Sequence, residues 1–236
     1  MDHFLHLESM RSAIKLPFQF DADRMKQELE SISSSFQLIR NQYTKNSLMG
    51  THLILPNPNG ELNEKGESFY LSEELEQCPY LQEVLNTFQC NKFTFRSQNL
   101  LPGGTIEKHD DGDKGLKHNW IRLNIPVATN ENVHTYFNGE RIPMKNGECW
   151  LPDVTKEHEM FNHSNETRWL LLMDCELNDW WKEILTKQGL EFEDESKYKY
   201  QTLEELENIK LCFLEMGLTE ESELVHEVIA EMVRRI

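Results

Sequence analysis

The stretch Trp120-Ile121-Arg122-Leu123-Asn124-Ile125-Pro126-Val127 is a run in which polar and apolar side chains partly alternate. Such alternation is typical of a β-strand with one buried face. Around it, between about residues 93 and 174, other short β-rich runs alternate with turn signals, and Asn138-Gly139 is a strong hairpin turn. Regularly spaced short strands of this kind predict a sandwich or jelly roll.

Helical patterns flank this β core on both sides. Before it, Asp21 can cap a helix over residues 24–29, and residues 71–88 carry apolar side chains at the spacing of one helix face. After it, helices are predicted over residues 177–185, 203–216 and 220–234. The predicted fold class is therefore α+β, with a jelly-roll core at about 93–174, flanking N-terminal helices and a helical C-terminal extension at about 176–236. No linker is recognisable, so residues 1–236 are predicted to form one domain.

The composition narrows the classes of function. The chain has 236 residues and a formal net charge of −17, which disfavours binding to nucleic acid. Its five cysteines are scattered and form no C-x-x-C motif, as expected for reduced thiols in the cytoplasm. The first residues do not resemble a signal peptide, and the longest apolar run, residues 169–173, is too short to cross a membrane.

A candidate metal-binding motif, Lys108-His109-Asp110-Asp111, follows the Gly103-Gly104 turn. Residues i and i+2 of a strand point to the same side, so His109 and Asp111 can reach one metal ion together. Two histidines and one carboxylate commonly hold ferrous iron in oxygenases, and His158 is the candidate for the second histidine. The alternatives are Asp110 for the carboxylate and, for the histidine, His118, His134 or His163.

Arg168 stands ten positions after His158, at the start of an apolar run. A buried cation needs an anionic partner, and the planar fork of arginine suits a carboxylate. Arg168 is therefore the candidate for binding the distal carboxylate of 2-oxoglutarate. Because a turn-rich stretch separates the two residues, His158 and Arg168 are predicted on neighbouring antiparallel strands that face one cavity.

These residues resemble the aspartyl/asparaginyl β-hydroxylase-like branch of the 2-oxoglutarate oxygenases, which includes bacterial proline hydroxylases acting on the free amino acid. The resemblance covers about residues 79–181. It is carried by Leu100-Leu101-Pro102-Gly103-Gly104, by the stretch 120–127, by residues 146–153 leading to His158, and by Thr167-Arg168-Trp169-Leu170-Leu171-Leu172-Met173-Asp174. The spacing of the two histidines, Asp111 and Arg168 is similar to that of the proline 3-hydroxylases.

The resemblance implies a double-stranded β-helix (a cupin-like jelly roll) and an Fe(II)- and 2-oxoglutarate-dependent dioxygenase that uses O2. It makes Arg122 a second candidate for contact with 2-oxoglutarate or with a substrate carboxylate, the alternative being a strand-face ion pair. Asn124 departs from the histidine frequent at this position in the branch, whereas the presence of Asp111 favours ordinary hydroxylation over halogenation.

The implied substrate is a small molecule, a free amino acid or a simple derivative of one. Four residues on strands that could face the cavity are candidates for binding it: Arg96, Asn99, His134 and Trp150. Residues 112–116 and the C-terminal helices are candidate lids, and the chain is expected to be a monomer or homodimer. The rival hypotheses are a hydroxylase of peptide or protein side chains, a non-catalytic jelly-roll binding protein, and a cupin enzyme with another metal and no 2-oxoglutarate.

Overall fold

The structure is a computed structural model, and it describes residues 12–40, 42–57, 68–112, 114–192 and 202–234. The chain divides into two compact units, residues 1–192 and 193–236. The prediction of one domain over residues 1–236 stays a prediction. Among the described residues, no helix is long and apolar enough to cross a membrane.

The first unit contains all of the described strands, which are numbered here in chain order. They are β1 (Ala13–Gln19), β2 (Gln37–Leu38), β3 (Leu48–Gly50), β4 (Ile54–Pro56), β5 (Phe69–Leu71), β6 (Lys92–Leu100), β7 (Thr105–His109), β8 (Trp120–Ala128), β9 (Val133–Phe137), β10 (Glu140–Arg141), β11 (Glu148–Pro152), β12 (His158–Asn162) and β13 (Arg168–Glu176). Strands β4 and β5 form a two-stranded hairpin, and the others form two larger antiparallel sheets.

The larger sheet has seven strands in the order β1-β11-β8-β13-β6-β3-β2, and the smaller has four in the order β10-β9-β12-β7. Met160 of the smaller sheet packs against Leu100 of the larger one, so the two sheets face each other. The chain crosses repeatedly between them, and successive strands β11, β12 and β13 lie in the larger, the smaller and again the larger sheet. This arrangement is the predicted double-stranded β-helix.

Four α-helices lie among the described residues of the first unit: α1 (Ala22–Ser31), α2 (Glu73–Glu76), α3 (Pro79–Asn86) and α4 (Asp179–Lys187). Asp21 caps α1 as predicted, because its side chain accepts hydrogen bonds from the amides of Asp23 and Arg24. The single helix predicted over residues 71–88 is wrong. Pro79 disfavours helical backbone at Cys78, so α2 ends before it and α3 begins at the proline.

The largest core lies on the outer face of the seven-stranded sheet. There the apolar side chains of α1 and α3, such as Leu29 and Leu81, pack with strand residues such as Phe95, Ile125 and Leu171. Because side chains alternate along a strand, the other positions of the same strands face the four-stranded sheet. The space between the two sheets therefore receives a separate set of side chains, several of them charged.

The second unit is a helical pair, α5 (Leu203–Glu215) and α6 (Thr219–Arg234). Thr202 and Glu205 form a capping box at the start of α5, and the two helices meet around Leu206 and Val225. Gly217, where φ is +73°, lies between the two helices, as the predicted ranges 203–216 and 220–234 require.

Candidate metal centre

Three predicted ligands converge at one end of the four-stranded sheet. His109 is the last residue of β7 and His158 the first residue of β12, and the two are direct cross-strand partners. Asp111 lies two residues beyond β7, where its amide donates to the carbonyl of Val154 at 2.9 Å. One ligand atom from each of the three residues lies within 4.8 Å of the others. Among the described residues this is the one group of three or more such side chains that could hold a metal ion.

Hydrogen bonds fix which nitrogen each histidine presents to a metal. Nδ1 of His109 lies 2.7 Å from the carbonyl oxygen of Glu107, and Nδ1 of His158 lies 3.0 Å from that of Lys156. A carbonyl only accepts, so each Nδ1 carries the proton and each Nε2 keeps its lone pair. This is the usual arrangement of metal-binding histidines, whose second nitrogen donates to a carbonyl or carboxylate.

Aromatic side chains hold the two imidazoles in place. The Tyr43 ring stacks on His109 at a centroid distance of 4.2 Å, and Phe137 stacks on His158 at 5.4 Å. Burial is the largest cause that lowers the pKa of His158. A neutral imidazole is the form that binds a metal, so burial favours the ligand state of His158, although its hydrogen bond to the Lys156 carbonyl acts in the opposite direction.

Arg122 orients the carboxylate of the group. Its guanidinium donates to both oxygens of Asp174, at 2.6 and 2.8 Å, and also to Oδ2 of Asp111. Burial opposes the charge on Arg122, but the hydrogen bonds and charge of Asp174 and the charge of Asp111 outweigh it and raise the pKa of Arg122. The same contacts lower the pKa of Asp174 against the effect of burial. Arg122 thus forms the strand-face ion pair weighed above, and its contact with 2-oxoglutarate stays a prediction.

Arg168 is a buried cation that lacks an acidic partner among the described residues. It begins β13, only 2% of it is exposed, and its Nη1 has no hydrogen-bond partner. Burial lowers the pKa of its guanidinium to about 9. An unpaired guanidinium in such a place fits the distal carboxylate of 2-oxoglutarate, which would supply the missing charge.

The predicted strand arrangement around Arg168 is wrong. His158 and Arg168 do not lie on neighbouring strands, because β12 belongs to the four-stranded sheet and β13 to the seven-stranded sheet. The turn between them carries the chain across the barrel. Both strands nevertheless line the same interior, since Arg168 pairs with Leu100, which packs against Met160 of β12.

A cavity of about 680 Å³ reaches Arg168 from the ends of β8 and β9 and the segment 141–146. Its lining includes Thr135, the cross-strand partner of Met160 and therefore a residue of the barrel interior. Two cations, Arg141 and Lys145, and one acidic residue, Glu131, line it as well, so with Arg168 the lining is positive on balance. The cavity gives the interior a cationic approach in a protein of strongly negative net charge.

The structure separates the four candidates for substrate binding. Arg96 lies in one cross-strand row with Leu172, Asn124 and Trp150, on the inner face of the seven-stranded sheet. Trp150 packs close to Phe137, which in turn stacks on His158.

The other two candidates, Asn99 and His134, do not lie on the inner faces of their sheets. Asn99 is an odd number of residues from Arg96 and pairs with Trp169, so it lies on the outer face of the same strand. His134 alternates with the inward Thr135 and packs beside His163 on the outside of the smaller sheet. Their predicted place in the cavity is therefore wrong, because each has the opposite strand parity.

The alternative ligands also lie apart from the group. Asp110 is exposed and its carboxylate accepts from the amide of Gly112. His118 is exposed in a short turn, and His163 stacks on Phe161 at the outer surface. Residues 112–116 and the C-terminal helices stay predictions as lids.

Sequence reasoning did not assign a role to Asp174 or Tyr43. Asp174 could have been noticed, because an acidic residue near the end of a long apolar strand needs a buried cation as partner. Nothing in the local sequence around Tyr43 indicated that its ring would lie against His109.

Fold and site together define a jelly-roll protein in which two histidines and one carboxylate could hold a metal ion, and this is the ligand set of non-haem ferrous oxygenases. The model of the aspartyl/asparaginyl β-hydroxylase family matches residues 20–178, which include all three ligands and Arg168. The chain belongs to this family. It is an oxidoreductase that depends on Fe(II), 2-oxoglutarate and O2.

Comparisons with other proteins give distant matches only. No curated protein sequence matches significantly. A prolyl hydroxylase from Trichoplax adhaerens solved with a hypoxia inducible factor peptide is 10% identical, with 75% of this chain and 89% of that chain covered and a TM-score of 0.49. A 2OG-Fe(II) oxygenase family protein from Burkholderia pseudomallei is 12% identical, with 74% and 88% covered and a TM-score of 0.47. A prolyl-4-hydroxylase from Pseudomonas putida is 10% identical, with 73% and 96% covered and a TM-score of 0.46.

Proposed function

We propose that this protein hydroxylates an unactivated C–H bond of a free amino acid or a small amino-acid derivative. The observation that carries the proposal is the convergence of His109, Asp111 and His158 inside a barrel that also buries the unpaired Arg168. Iron and 2-oxoglutarate, when bound, supply the oxidising chemistry, and succinate and CO2 are released with the hydroxylated product.

The residues of the chain prepare the site for this chemistry. The two histidines present Nε2, and Asp111 offers one oxygen while Arg122 holds the other. Arg168 binds the distal carboxylate of 2-oxoglutarate, and the apolar side chains between the sheets exclude water from it. Placing these groups beforehand lowers the entropy loss on binding.

The proposal also covers organisation and location. We propose that the chain forms one catalytic unit that acts in the cytoplasm. Thiols stay reduced there, and all five cysteines of the chain are free. The proposed reaction needs no partner protein, and we propose that the chain acts on its small-molecule substrate as a monomer or homodimer.

The second candidate is a hydroxylase of peptide side chains, because the name of the matching family refers to β-hydroxylation of aspartyl and asparaginyl residues. Both candidates use the same metal centre, so they differ only in substrate.

Succinate formation tests the proposal. Protein purified without oxygen is loaded with Fe(II) and 2-oxoglutarate and then exposed to air with a panel of free L-amino acids. His158→Ala should abolish turnover, while the matched control His118→Ala, an exposed histidine outside the group, should leave it intact. Stimulation by one amino acid supports the proposal, whereas stimulation by Asp- or Asn-containing peptides alone supports the second candidate. If iron does not bind, both are wrong.

A further inference from the structure

Two cysteines meet where strand β6 begins and strand β13 ends. Cys175 is the cross-strand partner of Lys92, so these two side chains share a face of the sheet. Cys90 stands two residues before Lys92, and residues two apart along an extended chain also share a face. The amide of Glu176 donates to the carbonyl of Asn91 at 2.9 Å, which continues the strand pairing towards Cys90. The register therefore places the two thiols diagonally next to each other.

The two thiols differ in exposure and in acidity. Cys175 is fully buried in the largest core, whereas Cys90 packs at the edge of that core and is partly exposed. Cys175 donates a hydrogen bond to the Cys90 sulfur, and this bond is the largest cause that lowers the pKa of Cys90 against the effect of burial. Burial and the same bond raise the pKa of Cys175 well above its usual value. The accessible sulfur is thus the one that ionises, and the buried one keeps its proton.

The indole of Trp181 lies against this pair and favours negative charge on sulfur. Its buried Nε1 has no oxygen acceptor among the described residues, and its N–H group lowers the pKa of both thiols. The charge of Lys92 also lowers the pKa of Cys90, while the charge of Glu176 opposes it. A buried N–H donor without an acceptor is costly, and a thiolate beside it would satisfy it.

The remaining cysteines lack this combination of features. Burial raises the pKa of Cys78 to about 11 and raises that of Cys149 as well. The Sγ atom of Cys78 lies 3.7 Å from the carbonyl oxygen of Glu28. Cys212 is exposed on helix α5 of the other unit. A partly exposed thiolate beside a second thiol is the arrangement typical of cysteines that oxidants modify reversibly.

We propose that Cys90 is a site of oxidation by peroxides and that Cys175 resolves it into a reversible disulfide. The Cys90 thiolate attacks the peroxide, the O–O bond breaks with loss of hydroxide, and Cys90 becomes a sulfenic acid. The Cys175 sulfur then attacks the Cys90 sulfur, the S–O bond breaks, and the departing hydroxide takes the Cys175 proton and leaves as water. The thiol pair loses two hydrogen atoms in total, and hydrogen peroxide is reduced to two molecules of water.

The proposed disulfide lies behind a support of the metal site. Cys175 directly follows Asp174, whose ion pair with Arg122 lies on the inner face of the sheet. Successive residues of a strand face opposite sides, so the oxidation takes place in the outer core and does not consume a candidate metal ligand. Its test therefore needs neither iron nor 2-oxoglutarate, and its outcome is independent of the proposed function.

Mass spectrometry after peroxide treatment tests the proposal. The full-length, metal-free protein is treated with a small excess of hydrogen peroxide at neutral pH, the remaining thiols are blocked with N-ethylmaleimide, and tryptic peptides are analysed without reduction. The wild type should yield residues 66–92 linked to residues 169–182, and dithiothreitol should remove the link. The first peptide also contains Cys78, so the control variants Cys78→Ser and Cys212→Ser should give the same link.

Substitutions assign the two roles. Cys90→Ser should form no link. Cys175→Ala keeps a small apolar side chain in the core and should leave Cys90 as a sulfenic acid that dimedone traps. In the reduced wild type, iodoacetamide should modify Cys90 roughly 10-fold faster than Cys78, because the larger thiolate fraction outweighs the weaker nucleophilicity of a more acidic thiol. This last measurement needs no variant and so does not depend on whether one folds.

Three results would overturn the proposal. The first is a link through Cys78, or one that persists in Cys90→Ser. The second is a wild type in which Cys90 stays reduced at peroxide concentrations that oxidise the exposed Cys212. The third is oxidation of Cys90 in the wild type without any link to Cys175, which would remove the resolving role and with it the reversible disulfide. A link in the wild type and both controls, together with trapped sulfenic acid in Cys175→Ala, supports it.

Discussion

The ion pair between Arg122 and Asp174 is the part of the site whose removal should have the largest effect on stability. In Asp174→Asn the guanidinium keeps its contact with Asp111 but loses a buried bidentate partner, whose side chain is only 3% exposed. Removing one member of a buried pair destabilises by about 3–5 kcal/mol, and the remaining contact with Asp111 favours the lower end, about 3 kcal/mol. For a unit of this size the unfolding temperature should fall by about 6–12 °C.

Thermal unfolding of the metal-free protein at pH 7 measures this effect. The control is Glu183→Gln, which removes an exposed ion pair with Lys187 and should leave the unfolding temperature unchanged. If Asp174→Asn lowers the unfolding temperature by no more than the control does, the ion pair does not stabilise the fold as argued.

The same pair sets a dependence on pH. The pKa of Asp174 is lowered in the folded state, since the bonds and charge of Arg122 outweigh burial. Its contribution to the free energy of unfolding is therefore present above its unfolded-state pKa of about 3.9 and is lost as the pH falls through the lower folded-state pKa. The difference in stability between wild type and Asp174→Asn should accordingly be constant near neutral pH and shrink below about pH 4.

Three other predictions concern the supports of the site. Arg168→Gln should raise the KM for 2-oxoglutarate by roughly 100-fold, with partial recovery in Arg168→Lys; an unchanged KM in steady-state succinate assays would refute the assignment. Asn162→Ala should destabilise by about 3 kcal/mol in urea, more than Ser164→Ala, because the Asn162 side-chain amide lies within hydrogen-bond distance of the backbone carbonyls of Leu100, Leu101 and Glu166 and so ties the turn before Arg168 to the end of β6. Gly50→Ala should destabilise by about 1–3 kcal/mol or more by calorimetry, because the added methyl group would overlap the carbonyl oxygen of Ser97. Equal stability of the alanine and glycine proteins would contradict that close approach.

The local patterns of the chain predicted most of the elements, because strand alternation and capping depend on neighbouring residues. The hairpin turn predicted at Asn138-Gly139 directly follows β9, and the two residues have the positive φ angles, 49° and 76°, of a tight hairpin turn. Alternation could also have separated Arg96 from Asn99, since an odd spacing puts two residues on opposite faces. His134 was harder to place, because both faces of β9 carry apolar or aromatic side chains.

The sequence by itself predicted the three candidate metal ligands that the structure brings together, since an H-x-D pair and a distant histidine carry their chemistry in residue type and spacing. It also determined that Arg168 needed an anion. Only the tertiary structure decided that β12 and β13 lie in opposite sheets, that Arg122 is engaged by Asp174 while Arg96 is not, and that Tyr43 covers His109. The physical reason is that each of these contacts joins residues far apart in the chain, and no local pattern encodes which strand becomes the neighbour of another.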